Sequence, residues 1–311
     1  MDWLVRPLVI ILGPTASGKT ALAIRVAQRF GGEILACDST QVYRGFDIGT
    51  AKPTAAERAA IPFHLMDLAA PSELFTAGEY RRKAQVVLDD LARRGVLPVL
   101  TAGTGLYLRA LLEGLADAPE RSEELRARLS EIATRRGHTH LHRLLQRLDP
   151  PSAARISPND TKKIIRAIEI CVVARKPLSE VHRAGREPLQ GYRFVKIGLQ
   201  PPRELLQRRI ADRVQSMLQI GWLEEVKALL QGDASASAKP FEFIGYRELR
   251  DHLEGHSTLA QAAQAITIAT RQYAKRQMTW FRKESGVAWL PGFGDDPAVI
   301  AESLQLVEKA L

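Results

Sequence analysis

A chain that reads LVIILGPTASGKTALAIRVAQRF from residue 8 to residue 30 has little freedom in how it begins to fold. The run 8–12 is short and continuously apolar, with two isoleucines and a valine, which suits a strand buried on both faces of a parallel sheet. Ala23, Val26, Ala27 and Phe30 then recur at i, i+3, i+4 and i+7, the stripe of a helix packed on that sheet, and Gly31-Gly32 ends it. Between strand and helix, Gly13 to Thr20 matches G-x-x-x-x-G-K-T without a mismatch. Such a loop holds a phosphate. Glycines at 13 and 18 let the backbone N–H groups of the turn Thr15-Ala16-Ser17-Gly18 close around the anion. Lys19 adds a point charge, and the Thr20 hydroxyl can hold Mg2+. The loop does not reveal whose phosphate it holds, and a nucleotide is the default owner.

The segments 33–37 (EILAC) and 96–101 (VLPVLT) read as further strands, the second preceded by a helical run over 77–94. This β-α-β alternation predicts an α/β fold, a parallel sheet flanked by helices. From 119 to about 186 the pattern turns helical and charged, as in ERSEELRARLSEIATRRG, and 193–199 (RFVKIGL) then returns as a strand. Residues 119–189 are therefore read as an inserted all-helical domain, and 1–118 with 190–311 as the core. Residues 203–230 read as one long helical stretch, 232–240 (GDASASAKP) as a small-residue loop, and helices resume through the tail.

The 311 residues carry 44 Lys and Arg against 35 Asp and Glu, a net charge of +9, which suits an anionic partner larger than one small molecule. Two cysteines are too few for a disulfide framework and lack metal-ligand spacing. With neither a leader pattern at the N-terminus nor a membrane span, the expectation is a cytoplasmic protein. Ligands of doubly wound sheets sit at the carboxyl ends of the strands. There the second strand delivers Asp38, with Arg44 and Lys52 further on, and the third delivers the turn Gly103-Thr104-Gly105. Arg209 and Arg213 lie one helical turn apart and share a face, as diphosphate ligands would; spacing alone does not separate them. The alternating histidines 138, 140 and 142 have no Cys or carboxylate at ligand spacing and read as a surface helix start.

GPTASGKT, DSTQVYRGFDIGTAKP, GTGLY, IGY and TRQYAKRQMTWFR occur here in the order found in tRNA dimethylallyltransferases, also called tRNA isopentenyltransferases, and the chain resembles that IPP transferase family over nearly its whole length. The resemblance implies transfer of a dimethylallyl group from dimethylallyl diphosphate to N6 of adenosine 37, 3′ of the anticodon, with the loop holding diphosphate rather than a nucleotide. It implies a P-loop kinase-like fold with an inserted helical domain, Mg2+ on Thr20, Asp38 as general base, Thr104 near the reacting amine and the diphosphate, and an arginine of the Arg209/Arg213 segment, Arg213 being favoured, on the diphosphate. Contacts to the tRNA anticodon stem-loop are implied in several stretches. These are Asp38, Ser39, Thr40 and Gln41; Thr104; Arg126; and Lys162, Lys163 and Arg166. EFIGYR adds Glu242, Gly245, Tyr246 and Arg247. The tail adds Arg271, Lys275, Arg276, Gln277, Trp280 and Arg282. The segment 271–283 carries five basic residues, three aromatics and no acid, a composition suited to single-stranded RNA. A monomer is expected. The sequence departs from the family pattern at Ala102, where a glycine is usual, at Ala174-Arg175-Lys176 in place of Thr-Gly-Lys, and at Lys162-Lys163. The competing readings are an isopentenyltransferase on free adenine nucleotides and a P-loop ATPase or kinase that binds RNA, the latter lacking a clear Walker B carboxylate.

Overall fold

The apolar opening run becomes β1 (Arg6–Leu12), whose residues 8–12 are fully buried in a computed structural model that describes residues 5–116, 118–183, 185–232 and 238–311. Burying five such side chains is worth on the order of 10 kcal/mol before entropy, which fixes the strand that launches the phosphate loop. α1 (Lys19–Phe30) follows and stops at Gly31, whose φ of 63° a side chain would strain. β2 (Gly32–Cys37) delivers Asp38. After α2 (Ala55–Ala60) and the two-residue β3 (Phe63–His64), α3 (Ala77–Arg94) starts at a Thr76/Glu79 capping box and ends at left-handed Gly95. β4 (Leu97–Ala102) leads through the turn at 103–104 into α4 (Gly105–Glu113). Ala102 keeps a negative φ, so the alanine costs no backbone strain.

Five helices then form a compact unit of their own, Leu112–Leu189. They are α5 (Glu123–Arg136), α6 (His138–Leu148), α7 (Pro150–Arg155), α8 (Thr161–Ala174) and α9 (Leu178–Arg183). The unit begins at 112 rather than 119. The Leu189 amide donates to the Leu112 carbonyl at 3.0 Å, so entry and exit close on each other. Its core includes Leu141, Leu145, Ile164 and Ile168. His142 is part of that packing: it is buried, with Nε2 3.0 Å from the carbonyls of both Ala153 and Ile156. α6 does start at exposed His138, as the reading of the three histidines expects, and the surface reading is corrected for His142 alone.

The other unit, Met1–Leu111 with Gln190–Leu311, holds the sheet. β5 (Tyr192–Leu199) pairs with β1. The expected single helix over 203–230 is two, α10 (Arg203–Gln219) and α11 (Trp222–Gln231), because Gly221 adopts φ 103° between them. The loop expected over 232–240 lies, for 233–237, outside the described residues. α12 (Tyr246–Leu253), α13 (Leu259–Phe281), β6 (Val287–Leu290) and α14 (Pro297–Glu308) complete the unit. The strand order is β3-β2-β4-β1-β5-β6, and every pairing is parallel. β3 and β6 were not expected. Both are short edge strands that pair on one side only, too brief for period-2 patterning to register. One face of the sheet packs against α1 and α14, through Leu22, Val26, Val299 and Val307. Among the described residues no helix is long and apolar enough to cross a membrane.

Candidate active site

The carboxyl ends of β1, β2 and β4 open on a cavity of about 780 Å³, and every residue lining it belongs to the sheet-bearing unit. Thr15, Ala16, Ser17, Gly18, Lys19 and Thr20 form one wall. Gly18, at φ 87°, precedes α1 without a side-chain cap, so the first N–H groups of that helix face the cavity without intrahelical partners. A Cβ at Gly18 would sit 2.8 Å from the Gly294 amide nitrogen, and one at Gly13 would sit 2.8 Å from Ser17 Oγ and 3.1 Å from Leu199 Cβ; glycine is needed for space at both. Ala16 holds φ 63° without being glycine, as does Ala51 at φ 53° on the opposite wall, so two strained residues line one site. The Lys19 ammonium donates to the carbonyls of Gly13 and Pro14, at 3.0 and 2.9 Å. Its enclosure pushes its pKa down to about 8; the Asp38 carboxylate pulls it up and the Arg213 guanidinium down, so these three charges face one another.

Asp38 sits where β2 ends. The Thr40 amide and hydroxyl donate to its Oδ1 at 2.8 and 2.7 Å, and a Cβ at residue 103 would collide with its Oδ2, so Gly103 makes room for the carboxylate. The amides of Gly103 and Thr104 donate to the Cys37 carbonyl, and Thr104 Oγ1 accepts from the Ser39 amide at 2.9 Å. Thr104 thus braces the β2 end from the β4 end rather than lining the cavity wall.

Geometry separates the two arginines that spacing left equivalent. Arg209 makes a two-pronged ion pair with Asp295, at 2.8 and 2.9 Å, and lies 4.6 Å from the Phe293 ring centroid. Both arginines line the cavity, but Arg213 has no such carboxylate pair among the described contacts, and burial together with the charge of Arg209 lowers its pKa from the usual arginine value.

The segment 43–52 is held in part by groups the sequence reading did not single out, Glu225 and Trp222 among them. Glu225 accepts from the amides of Asp47, Ile48 and Gly49 and from the Tyr246 hydroxyl. The Trp222 indole packs on Gly49 and Gly245 so closely that neither position tolerates a Cβ. Gln41 donates to the carbonyls of Thr50 and Ala51. Lys52 is buried between Asp47 and Asp67, at 2.6 and 2.5 Å, and is structural. Phe46 packs on Phe241 and Tyr246, with centroids 5.4 and 4.7 Å away. Within EFIGYR these contacts turn Gly245 and Tyr246 inward, while Glu242 and Arg247 stay exposed. Tyr246 is fully buried and Gly245 lies under the indole; Arg247 pairs with Glu248, and Glu242 accepts from Arg250. An acid four residues into α11 and a tryptophan before it carried no local signal.

On α13, Arg271, Lys275, Arg276 and Trp280 are exposed, as is Arg282 just past its end; the Arg271 guanidinium donates to the Gln207 carbonyl and that of Arg276 lies 5.8 Å from the Tyr273 centroid. Trp280, 41 % exposed, rests on Gly105 beside Thr104. Gln277 does not join them. It is 5 % exposed and turned into the cavity wall, with both ends of its amide bonded inside the protein. It belongs to the cavity lining and not to the exposed face of α13.

In the helical unit, Lys162 and Lys163 are exposed, Lys163 bonding Asp160 at 2.5 Å. Arg126 and Arg166 both bind the fully buried Glu169. Arg126 does so through two bonds of 2.9 and 2.8 Å and Arg166 through one of 2.6 Å; together with the Ser122 amide they hold the pKa of that carboxyl below the usual value although burial alone would raise it. These two arginines are part of the unit's own structure, not simple surface charges.

A parallel sheet, a phosphate loop at its first strand and a carboxylate at its second define a P-loop α/β protein whose anion site faces a proton acceptor. A sequence model described as IPP transferase matches residues 41–284. The tRNA dimethylallyltransferase of Koribacter versatilis is 52% identical over 97% of this chain and 98% of that one; that of Solibacter usitatus is 48% identical over 98% and 99%. Among solved structures, the tRNA isopentenylpyrophosphate transferase of Bacillus halodurans is 37% identical with a TM-score of 0.72, over 98% of this chain and 96% of that one. A eukaryotic dimethylallyltransferase acting on tRNA is 27% identical with a TM-score of 0.83, over 98% and 80%. The chain belongs to the IPP transferase family.

Proposed function

We propose that this protein transfers a dimethylallyl group from dimethylallyl diphosphate to N6 of the adenosine 3′ of the tRNA anticodon, position 37. The observation that carries this reading is the meeting of Lys19, Arg213 and Asp38 in one cavity: two cations and a helix N-terminus for a leaving diphosphate, and one carboxylate for a proton.

The exocyclic amine of adenine is a weak nucleophile because its lone pair is delocalised into the ring. As N6 bonds to the allylic carbon, the carbon–oxygen bond to diphosphate breaks and the departing N6 proton goes to Asp38. Thr40 holds Oδ1 of that carboxylate, which fixes its orientation. Negative charge grows on the leaving oxygens, where Lys19, Arg213 and the first N–H groups of α1 stabilise it. Thr20 lines the cavity, and its hydroxyl is a hard oxygen ligand of the kind that would suit Mg2+, which keeps several waters and takes substrate phosphate oxygens. Bound there, Mg2+ would neutralise diphosphate charge. Exposed Trp280 beside Thr104, with Lys275 and Arg276 on the same helix, suits an unstacked base and its flanking phosphates.

Incubation with radiolabelled dimethylallyl diphosphate, Mg2+ and unmodified tRNA tests the reading. Label recovered in tRNA as N6-dimethylallyladenosine is expected. Label on free AMP and none on tRNA would favour the free-nucleotide enzyme, and tight Mg2+-dependent ATP binding with no binding of the allylic diphosphate would favour an ATPase.

A further inference from the structure

The side-chain amide of Gln277, near the C-terminal end of the chain, joins two loops from its N-terminal third. Its Oε1 accepts from the Thr15 amide of the phosphate loop at 2.8 Å, across 262 residues. Its Nε2 donates to the Gly103 carbonyl at 2.7 Å, across 174 residues. One helical turn earlier, the Tyr273 hydroxyl reaches the same carbonyl at 3.3 Å. Gly103 is the residue whose missing side chain leaves room for Asp38, and its neighbour Thr104 braces Ser39. Gln277 is buried, so water cannot substitute for either partner without cost.

We infer that Gln277 is a positioning residue that sets the phosphate loop and the base Asp38 in register with each other, one arm of its amide on each. This rests on the reading of the cavity as an allylic-diphosphate site. A primary amide presents an acceptor and a donor side by side at this length whatever the pH. The Thr15 arm fixes where the diphosphate lies; the Gly103 arm fixes where the proton acceptor lies. Transfer requires the allylic carbon, the amine and the carboxylate to be aligned together, and a displacement of about 1 Å is enough to cost on the order of a hundredfold in rate. Lys275 and Arg276 lie between Tyr273 and Gln277 in the chain and are exposed, so the helix that presents charge to solvent also carries the clamp on its inner face.

Two near-isosteric variants of the intact protein test this. Gln277→Met removes both arms. Gln277→Glu keeps an acceptor for Thr15 but, when ionised, cannot donate to Gly103. The Met variant is expected to raise KM for dimethylallyl diphosphate and lower kcat, each by about tenfold, while the Glu variant lowers kcat by a similar factor and leaves KM within about threefold of wild type. The Kd for unmodified tRNA should stay within about twofold in both. Hydrogen exchange at the Thr15 amide should quicken in the Met variant and not in the Glu variant. Wild-type kcat and KM in Gln277→Met would overturn the inference, as would a weakened tRNA Kd with kcat and KM intact, which would make Gln277 an RNA contact. A wild-type protein that transfers no allyl group fails separately and overturns the reading of the cavity itself.

Discussion

Asp38 and Lys19 show how far a single residue's surroundings set its chemistry. Asp38 keeps one oxygen tied to Thr40 while the other lies over a glycine, an arrangement that orients a carboxylate without enclosing it. Asp38→Asn preserves the shape and removes the proton acceptor, so allyl transfer should fall by about 10² to 10⁴-fold while tRNA binding changes little; near-normal single-turnover rates from a folded variant would remove Asp38 from the role of base. Lys19 is a cation whose pKa is lowered to about 8, so its charge is present below that pH and lost above it. Calorimetric titration with dimethylallyl diphosphate should therefore show affinity weakening from about pH 8 upward, by at most about tenfold per pH unit, and Lys19→Met should flatten that dependence. The identity of both residues was legible because the loop and the strand ends are contiguous motifs. The pairing of Arg209 with Asp295, which sets it apart from Arg213, was not, because Asp295 lies 86 residues further along the chain.

At the level of elements, most helices and the four central strands are written in local pattern, since periodicity and capping act within a few residues. Departures occur where a distant contact overrides the pattern. The helix over 203–230 breaks at Gly221, and Trp222 turns inward under Gly49 and Gly245. α8 ends on Arg175, a non-glycine residue in the left-handed region at φ 52°, where the family pattern has glycine. Relief of that conformation, less the entropy a glycine adds to the unfolded chain, should make Arg175→Gly more stable by about 0.5–1 kcal/mol in denaturant melts. An unchanged or lowered midpoint would mean that the arginine side chain offsets the strain by contacts of its own.

For the molecule as a whole, the cavity is built by the sheet-bearing unit alone, while the helical unit closes its own chain ends through Leu112 and Leu189. Replacing residues 114–187 with a short flexible linker should leave dimethylallyl diphosphate affinity within about threefold. tRNA affinity should weaken by about 10²-fold with a shallower salt dependence, because Lys162, Lys163 and their neighbours leave with the deletion. Loss of diphosphate binding from a folded deletion protein would show that the core does not hold the site by itself. The sequence by itself determined the parallel α/β core, the existence of a helical insertion, the phosphate loop, and the placing of Asp38 and the 103–105 turn at strand ends, because each is a feature of a few consecutive residues with its own stereochemistry. Only the tertiary structure decided that Glu225 and Trp222 hold the 47–49 loop, that Tyr246 and Gln277 face inward, that Arg126 and Arg166 share a buried carboxylate, and that Arg213 faces the cavity. Each of these depends on a hydrogen bond, ion pair or packing contact whose partner is set by the chain's path in space, and residue spacing carries no information about that path.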